Sequence, residues 1–542
     1  MLQVQLTKME WPSFSMSLLV SVLLSFWWAT LGQTHEGFLR CLLLHSDDNV
    51  APISNAIYTQ NNSSFASVLD FPYGNLRFST PTTPKPLVIV KPTHVSHIQA
   101  TVNCSRKHGL QVRVRSGGHD YEGLSYVAQD SFVVIDLIDL RSINVDVGSK
   151  TAWIQAGATI GELYYRIAEK STTLAFPAGV CPTVGVGGHF SGGGYGMLMR
   201  KFGIAADHII DAHLVDVDGR ILDRKSMGED LFWAIRGGGG ASFGVVVAWK
   251  VELVSVPPVV TVFTINKVLE ENATKLVHRW QYAAPKSPED LFLRIFFTDV
   301  NSTQEGKRTI QASFVSMFLG RTDQLVKLMQ ENFPELRLVK EDCHEMNWIE
   351  SIIYFAEIPN SSPLDALLDR NLYPETFFKA KSDYVKEPIP ETALEGLWQR
   401  FYEEKPGTVE LIFSPYGGKM DEIPESETPF PHRAGNLYKI YYEVLWEEKD
   451  NLAPQKHLDW MRRLYSYMAP YVSKSPREAY VNYRDLDLGT NNKGNYTSYR
   501  QASKWGVRYF KDNFNRLVRV KTMVDPHNFF RNEQSIPPLV RE

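Results

Sequence analysis

The spacing of hydrophobic and polar positions changes several times along this chain. Residues 87–90 (Leu-Val-Ile-Val) are uninterrupted apolar, the pattern of a short buried strand. Over 95–107 the apolar residues Val95, Ile98 and Val102 share one helical face. Residues 110–115 alternate strictly, which predicts a half-buried strand. Further strands are predicted at 132–137 and 151–156, and an amphipathic helix at 160–169. Upstream, 36–57 reads as helix and loop, and Pro81, Pro84 and Pro86 form a linker. Mixed β and α elements with glycine loops at strand ends define an α+β cofactor domain.

Beyond Pro257 and Pro258 the texture changes. Glycine thins out, and the alternating runs 291–298 and 309–317 predict antiparallel strands. Helical segments at 322–332 and 391–402 separate them, so a second domain of sheet and helices follows. The alternating run 437–445 places Lys439, Tyr441 and Glu443 on one face. That face is either a solvated surface of long side chains or a cleft wall presenting a lysine beside a tyrosine. Residues 513–523 predict a late helix.

The chemistry concentrates in the glycine loops. Residues 181–196 hold seven glycines in sixteen positions, with one cysteine and one tyrosine. Similar runs occur at Arg115-Ser-Gly-Gly-His-Asp-Tyr-Glu-Gly123 and Arg236-Gly-Gly-Gly-Gly-Ala-Ser-Phe-Gly244. Glycine costs backbone entropy, so such clusters mark tight turns or a main chain pressed against a large ligand. Three of them beside apolar strands point to one extended, phosphate-bearing cofactor. No G-x-G-x-x-G opens a βαβ unit and no Walker lysine follows the glycines, which argues against Rossmann and P-loop sites. No C-x-x-C or H-E-x-x-H offers a metal cage, and His94 and His97 read as surface residues. A G-x-S-x-G hydrolase elbow is also missing.

Composition narrows the setting. The 542 residues allow several domains, and a net charge of −4 provides no basic footprint for nucleic acid. Lys8 precedes an apolar run over 14–29, with small residues at Thr30 and Gly32. Residues 1–32 therefore read as a cleaved secretory signal, with a signal anchor as the alternative. No later stretch is long and apolar enough to span a bilayer, so no membrane association is expected after signal removal. Secretion favours pairing among Cys41, Cys104, Cys181 and Cys343, without saying which pair forms. Sequons at Asn61, Asn62, Asn272, Asn301, Asn360 and Asn495 suit that route, and Asn103 is a formal one beside a cysteine.

Four motifs carry a resemblance that spans the mature chain. They are Arg115–Gly123, Cys181-Pro-Thr-Val-Gly-Val-Gly-Gly-His189, Ala479-Tyr-Val-Asn-Tyr-Arg-Asp-Leu-Asp-Leu-Gly489 and the closing Asn-Phe-Phe-Arg-Asn-Glu-Gln-Ser-Ile-Pro537. The chain resembles plant berberine bridge enzyme-like flavoproteins of the vanillyl-alcohol-oxidase type, and is also similar to cannabinoid-acid oxidocyclases. The resemblance implies a PCMH-type FAD-binding domain at 33–256, with its core at about 82–256. An antiparallel substrate domain at 257–480 and a C-terminal segment at 481–542 that returns to the first domain complete the expectation.

The resemblance also implies FAD bound twice covalently, through His119 to the 8α-methyl carbon and Cys181 to C6. Arg115, Ser116, Gly117, Gly118, Ser125, Val184, Gly185, Gly188, Ser191 and Asn528 would complete the cofactor site. Cys41 and Cys104 would form the family's disulfide, leaving Cys343 an unpaired, buried thiol. Tyr483 would be the general base, with Tyr195, Lys439 and Tyr441 around it. A free phenol titrates near 10, and a nearby lysine ammonium is expected to lower that value. Cannabinoid-acid oxidocyclases carry Glu where this chain has Lys439 and Tyr where it has Ser414. A lysine cannot serve as a carboxylate base, so ring closure is disfavoured here. Tyr441 replaces the glutamine of monolignol-oxidising relatives. Valine at 184 matches relatives that admit O2 to reduced flavin. The implied protein is a secreted monomer of the cell wall, vacuole or endoplasmic-reticulum vesicles, taking a small-molecule substrate and O2. It would be an H2O2-forming oxidase of a monolignol-like alcohol or a carbohydrate, or alternatively an alkaloid or phenolic oxidase.

Overall fold

Three large sheets and one two-stranded sheet organise the described residues. The computed structural model describes residues 35–45, 51–70, 74–304, 306–359, 361–404, 408–447, 453–492 and 496–539. The expected secretory signal at 1–32 and the sequons Asn360 and Asn495 lie outside them. Asn61, Asn62, Asn272 and Asn301 are exposed.

A four-stranded sheet runs in the order Ile57–Thr59, Val88–Val90, Phe132–Asp136, Gln111–Arg115. Its last three strands pair in parallel, and the helix Val95–Lys107 makes the crossover. Parallel strands are covered on both faces. For that reason Gln111–Arg115 is buried nearly throughout, where its alternation predicted a half-exposed strand. Its polar residues find partners instead: Gln111 bonds Asp130, and Arg113 donates to the Val127 and Arg531 carbonyls. The predicted surface position of His97 is corrected as well. The ring is buried against the Ala51 carbonyl at 2.9 Å, while His94 caps the start of its helix. Cys41 and Cys104 form the disulfide, which ties helix 35–45 to this crossover helix.

A five-stranded antiparallel sheet follows, ordered Ile143–Asp146, Thr151–Gln155, Val245–Glu252, Ile209–Val215, Ile221–Leu222. The first glycine run leaves the strand Gln111–Arg115 and the third enters Val245–Glu252, while the second follows Leu174–Ala175, which pairs with Val254–Ser255 in a small two-stranded sheet. One apolar core fills the four- and five-stranded sheets and continues into Ala479, Tyr480, Trp505, Phe514 and Phe530 near the C-terminus.

The largest sheet is antiparallel and seven-stranded. Its order is His344–Met346, Val260–Val268, Arg308–Phe318, Leu291–Asn301, Val409–Pro415, Tyr438–Trp446, Phe377–Val385. One face packs on the helices Ala273–Ala283, Glu391–Phe401 and Pro454–Met468 around a second core that includes Trp280, Phe413 and Trp460. The other face roofs the cavity described below. The strand Phe377–Val385 is buried at every position despite carrying Lys379, Lys381 and Asp383. Those charges are paired: Lys379 with Glu122 and Asp485, Lys381 with Asp485 at 2.6 Å and Asp487 at 2.8 Å, and Asp383 with Arg477. The Asp485-Leu-Asp487 step of the C-terminal segment is thus clamped to the large sheet, and Glu122 brings in the first glycine loop. Among the described residues no helix is long and apolar enough to cross a membrane.

Candidate active site

The glycine loops are forced together by backbone contact. A Cβ on Gly117 would lie 2.3 Å from the Gly185 nitrogen, and one on Gly185 would lie 2.2 Å from the Gly117 nitrogen. Real Cβ atoms never approach so closely, so only glycine permits the two loops to cross. The third loop joins through the Ser191 carbonyl, which accepts from Gly237 N at 3.0 Å and Gly239 N at 2.8 Å. The C-terminal segment braces the second loop. The Tyr480 hydroxyl accepts from Gly194 N, and Asn482 donates to the His189 carbonyl, each at 2.9 Å.

Between these loops and the large sheet lies a cavity of about 970 Å³. Ser116, Gly117, Gly118, His119, Ser125, Cys181, Val184, Gly185, Gly188 and Ser191 all line it. His119 and Cys181 converge on one hydroxyl: Thr183 Oγ1 is 3.0 Å from His119 Nε2 and 3.4 Å from Cys181 Sγ. Burial holds His119 neutral, its pKa lowered to about 4, and pushes the Cys181 thiol up.

Two residues expected at the cofactor are placed elsewhere. The Arg115 guanidinium turns away from the cavity, bonding the Leu69 and Val68 carbonyls at 2.6 Å and Asp136 at 2.8 Å. The cause is its partners: Asp136 on the adjacent strand and the two carbonyls of the Phe65–Asp70 helix take up the guanidinium. Asn528 sits with φ of 53° in the turn after the Asn513–Val524 helix, buried outside the cavity wall. Cys343 is half-exposed rather than buried, with its thiol pushed up to about 11 by burial and three nearby carboxylates.

On the roof, Phe292, Arg294 and Phe296 project from Leu291–Asn301, Glu410 and Ile412 from Val409–Pro415, and Tyr441 and Glu443 from Tyr438–Trp446. Strand register puts Ile412 opposite Tyr441 and Glu410 opposite Glu443. Burial raises both carboxyls, Glu410 to about 7 and Glu443 to about 8, and Glu410 further raises Glu443.

Five tyrosines meet beneath this roof. The Tyr195 and Tyr483 hydroxyls share a short hydrogen bond. Tyr121 stacks on Tyr483 with centroids 5.5 Å apart and planes 7° from parallel, and Tyr441 lies 4.6 Å from Tyr483. Lys439 does not reach the cavity as expected. Its Nζ lies behind the rings, 3.1 Å from the Tyr195 centroid, 4.3 Å from Tyr480 and 4.6 Å from Tyr483. The expected fall in the Tyr483 pKa is also corrected: burial pushes that phenol well above its usual value and drives Lys439 well below its own. Removing both groups from water penalises phenolate and ammonium alike.

The sequence reading missed Tyr121, Thr183, Arg294 and Glu410. Tyr121 stood inside a quoted motif. The signal for Arg294 was a lone charge between Phe292 and Phe296 on one face of an apolar strand.

A glycine-walled cavity of this size, closed by an antiparallel roof and holding a neutral imidazole beside a thiol, suits a large, extended cofactor. The FAD binding domain profile matches residues 86–224, and the profile described as berberine and berberine like matches 479–537. The chain is 55% identical to a tetrahydroberberine oxidase of Berberis wilsoniae over 98% of this chain and 100% of that one. It is 52% identical to a monolignol oxidoreductase of Arabidopsis thaliana, covering 93% of each chain. The crystal structure of a grass pollen allergen with glucose dehydrogenase activity superposes with a TM-score of 0.86 at 47% identity, covering 93% of this chain and all of that one. The chain belongs to the berberine bridge enzyme-like family of FAD-linked oxidases and is an FAD-dependent oxidoreductase.

The residues present fit FAD. Ser125 Oγ and Arg484 Nη1 are buried in the cavity wall without a protein partner, and a Cβ on Gly188 or Gly239 would meet no protein atom within 4 Å. Such polar atoms ask for a ligand.

Proposed function

We propose that this protein is a secreted, monomeric oxidase that takes two electrons from an alcohol carbon of a small aromatic or carbohydrate substrate and passes them to O2, giving H2O2. FAD, tethered to His119 and Cys181, would supply the hydride acceptor. The Tyr195–Tyr483 hydroxyl pair carries this reading, because it faces the same cavity as the two tethering side chains. As a phenolate, stabilised by a hydrogen bond donated from the Tyr195 hydroxyl, Tyr483 takes the substrate hydroxyl proton and becomes the neutral phenol. Lys439 gains a proton as Tyr483 loses one, so the buried cluster keeps its net charge and avoids the cost of a lone internal charge. Tyr121 and Tyr441 hold the Tyr483 ring in place by stacking. Val184, on the cavity wall, leaves room for O2 where a larger side chain would block it.

A second reading is amine oxidation of an alkaloid, favoured by the 55% identity to a tetrahydroberberine oxidase. Anaerobic mixing with coniferyl alcohol, an oligosaccharide and a tetrahydroprotoberberine separates the two. Bleaching of the flavin by either alcohol supports the first, bleaching by the alkaloid alone supports the second, and no bleaching by a broad panel removes both.

A further inference from the structure

Arg294 is the anomaly of the cavity. Its side chain is only 9% exposed, yet among the described residues no hydrogen bond or ion pair engages its guanidinium, and Nε is buried without a partner. Two rings flank the cation, Phe296 at 4.4 Å and Phe355 at 5.9 Å, and both line the cavity with it. Stacking orients a guanidinium but satisfies none of its five donors. The charged groups that face it are Glu410, Glu357, Tyr195 and Tyr483. The two tyrosines are buried phenols, and among the described residues neither carboxylate forms an ion pair with the guanidinium. A buried cation with no carboxylate in hydrogen-bonding contact is costly, and a fork of donors aimed into a substrate cavity matches a planar oxyanion.

We propose, building on the oxidase reading above, that Arg294 is a specificity-determining residue and that the substrate is an aromatic molecule bearing a carboxylate, which Arg294 receives in a bidentate pair. Phe292, Phe296 and Phe355 take the substrate's apolar body, and Arg294 fixes its orientation beneath the roof. Glu410, on the neighbouring strand with its carboxyl raised by burial to about 7, adds a second donor in its protonated form.

The test uses the yellow holoenzyme titrated with cinnamate and with cinnamamide, its uncharged isostere. Binding is followed by flavin absorbance and independently by calorimetry. Cinnamate should bind about tenfold tighter or more. Arg294→Gln should abolish the preference and Arg294→Lys should retain part of it, since lysine keeps charge but loses the fork. Equal affinity of the wild type for both probes, or a preference that survives in Arg294→Gln, overturns the proposal. So does equal weakening of both probes, which would make Arg294 a positioning residue for Tyr195. A preference for cinnamate that is lost in Arg294→Gln, in holoenzyme whose flavin no alcohol bleaches, would uphold the anion site and refute the alcohol-oxidase reading instead.

Discussion

Single side chains set the chemistry, and their environments differ from what their identities suggest. Tyr483 would be an ordinary phenol in water. Packed among four other tyrosines and an amine it is a group whose proton leaves only when a neighbour accepts compensation. Tyr483→Phe keeps the ring stack and deletes the hydroxyl, so flavin reduction should slow by about 10²–10⁴-fold while the bound yellow cofactor remains. Anaerobic stopped-flow checks this, and an unchanged rate removes Tyr483 as base. Val184→Leu should leave reduction intact and slow reoxidation, measured by mixing reduced enzyme with aerated buffer.

The elements were legible to different degrees. The helix at 95–107 and the strands near 132, 151, 291, 309 and 438 follow from periodicity, because each has one clearly apolar face. The strand Phe377–Val385 was not legible: its lysines and aspartate look solvated, and only partners about a hundred residues or more away in the chain, Glu122 before and Arg477, Asp485 and Asp487 after, neutralise them. The cofactor residues were legible as motifs, yet Arg115 shows the limit. A motif residue can be there for the fold, as its bond to Asp136 on the adjacent strand shows. Lys439 fails similarly, since its face was predicted correctly but the rings that cover it come from other elements. At the same scale, the crossing of the glycine loops separates two roles for one residue type. Gly185→Ala should destabilise the fold by about 2 kcal/mol or more, because its Cβ meets backbone that cannot give way. Gly188→Ala should melt like the wild type but bind less flavin, since its Cβ meets only the cavity. Thermal melting and flavin content of both variants distinguish these outcomes.

Across the whole molecule, stability rests on long-range ties. The Cys41–Cys104 bridge closes a loop with a sequence separation of 63, so replacing both cysteines by serine should cost about 4 kcal/mol in chemical denaturation. The Lys379, Lys381, Asp485, Asp487 cluster ties the large sheet to the C-terminal segment. Burial opposes ionisation of these aspartates, but the two lysines, and Arg462 at Asp487, hold both carboxyls below their usual range. Carboxyls depressed in the fold contribute stability above the unfolded value near 4 and lose it as pH falls through the lower folded values. Denaturation midpoints should therefore drop steeply below about pH 4. Asp485→Asn should be less stable by about 3–5 kcal/mol at neutral pH, with a shallower acid limb.

The C-terminal segment carries Tyr480, Asn482, Tyr483 and Arg484 into the cavity wall and Gln534 beside them. A ribosome must therefore finish nearly the entire polypeptide before the pocket has its last side. Flavin capture is in consequence a post-translational event, and a nascent chain stalled before residue 479 would leave the ribosome colourless however well its glycine loops had folded.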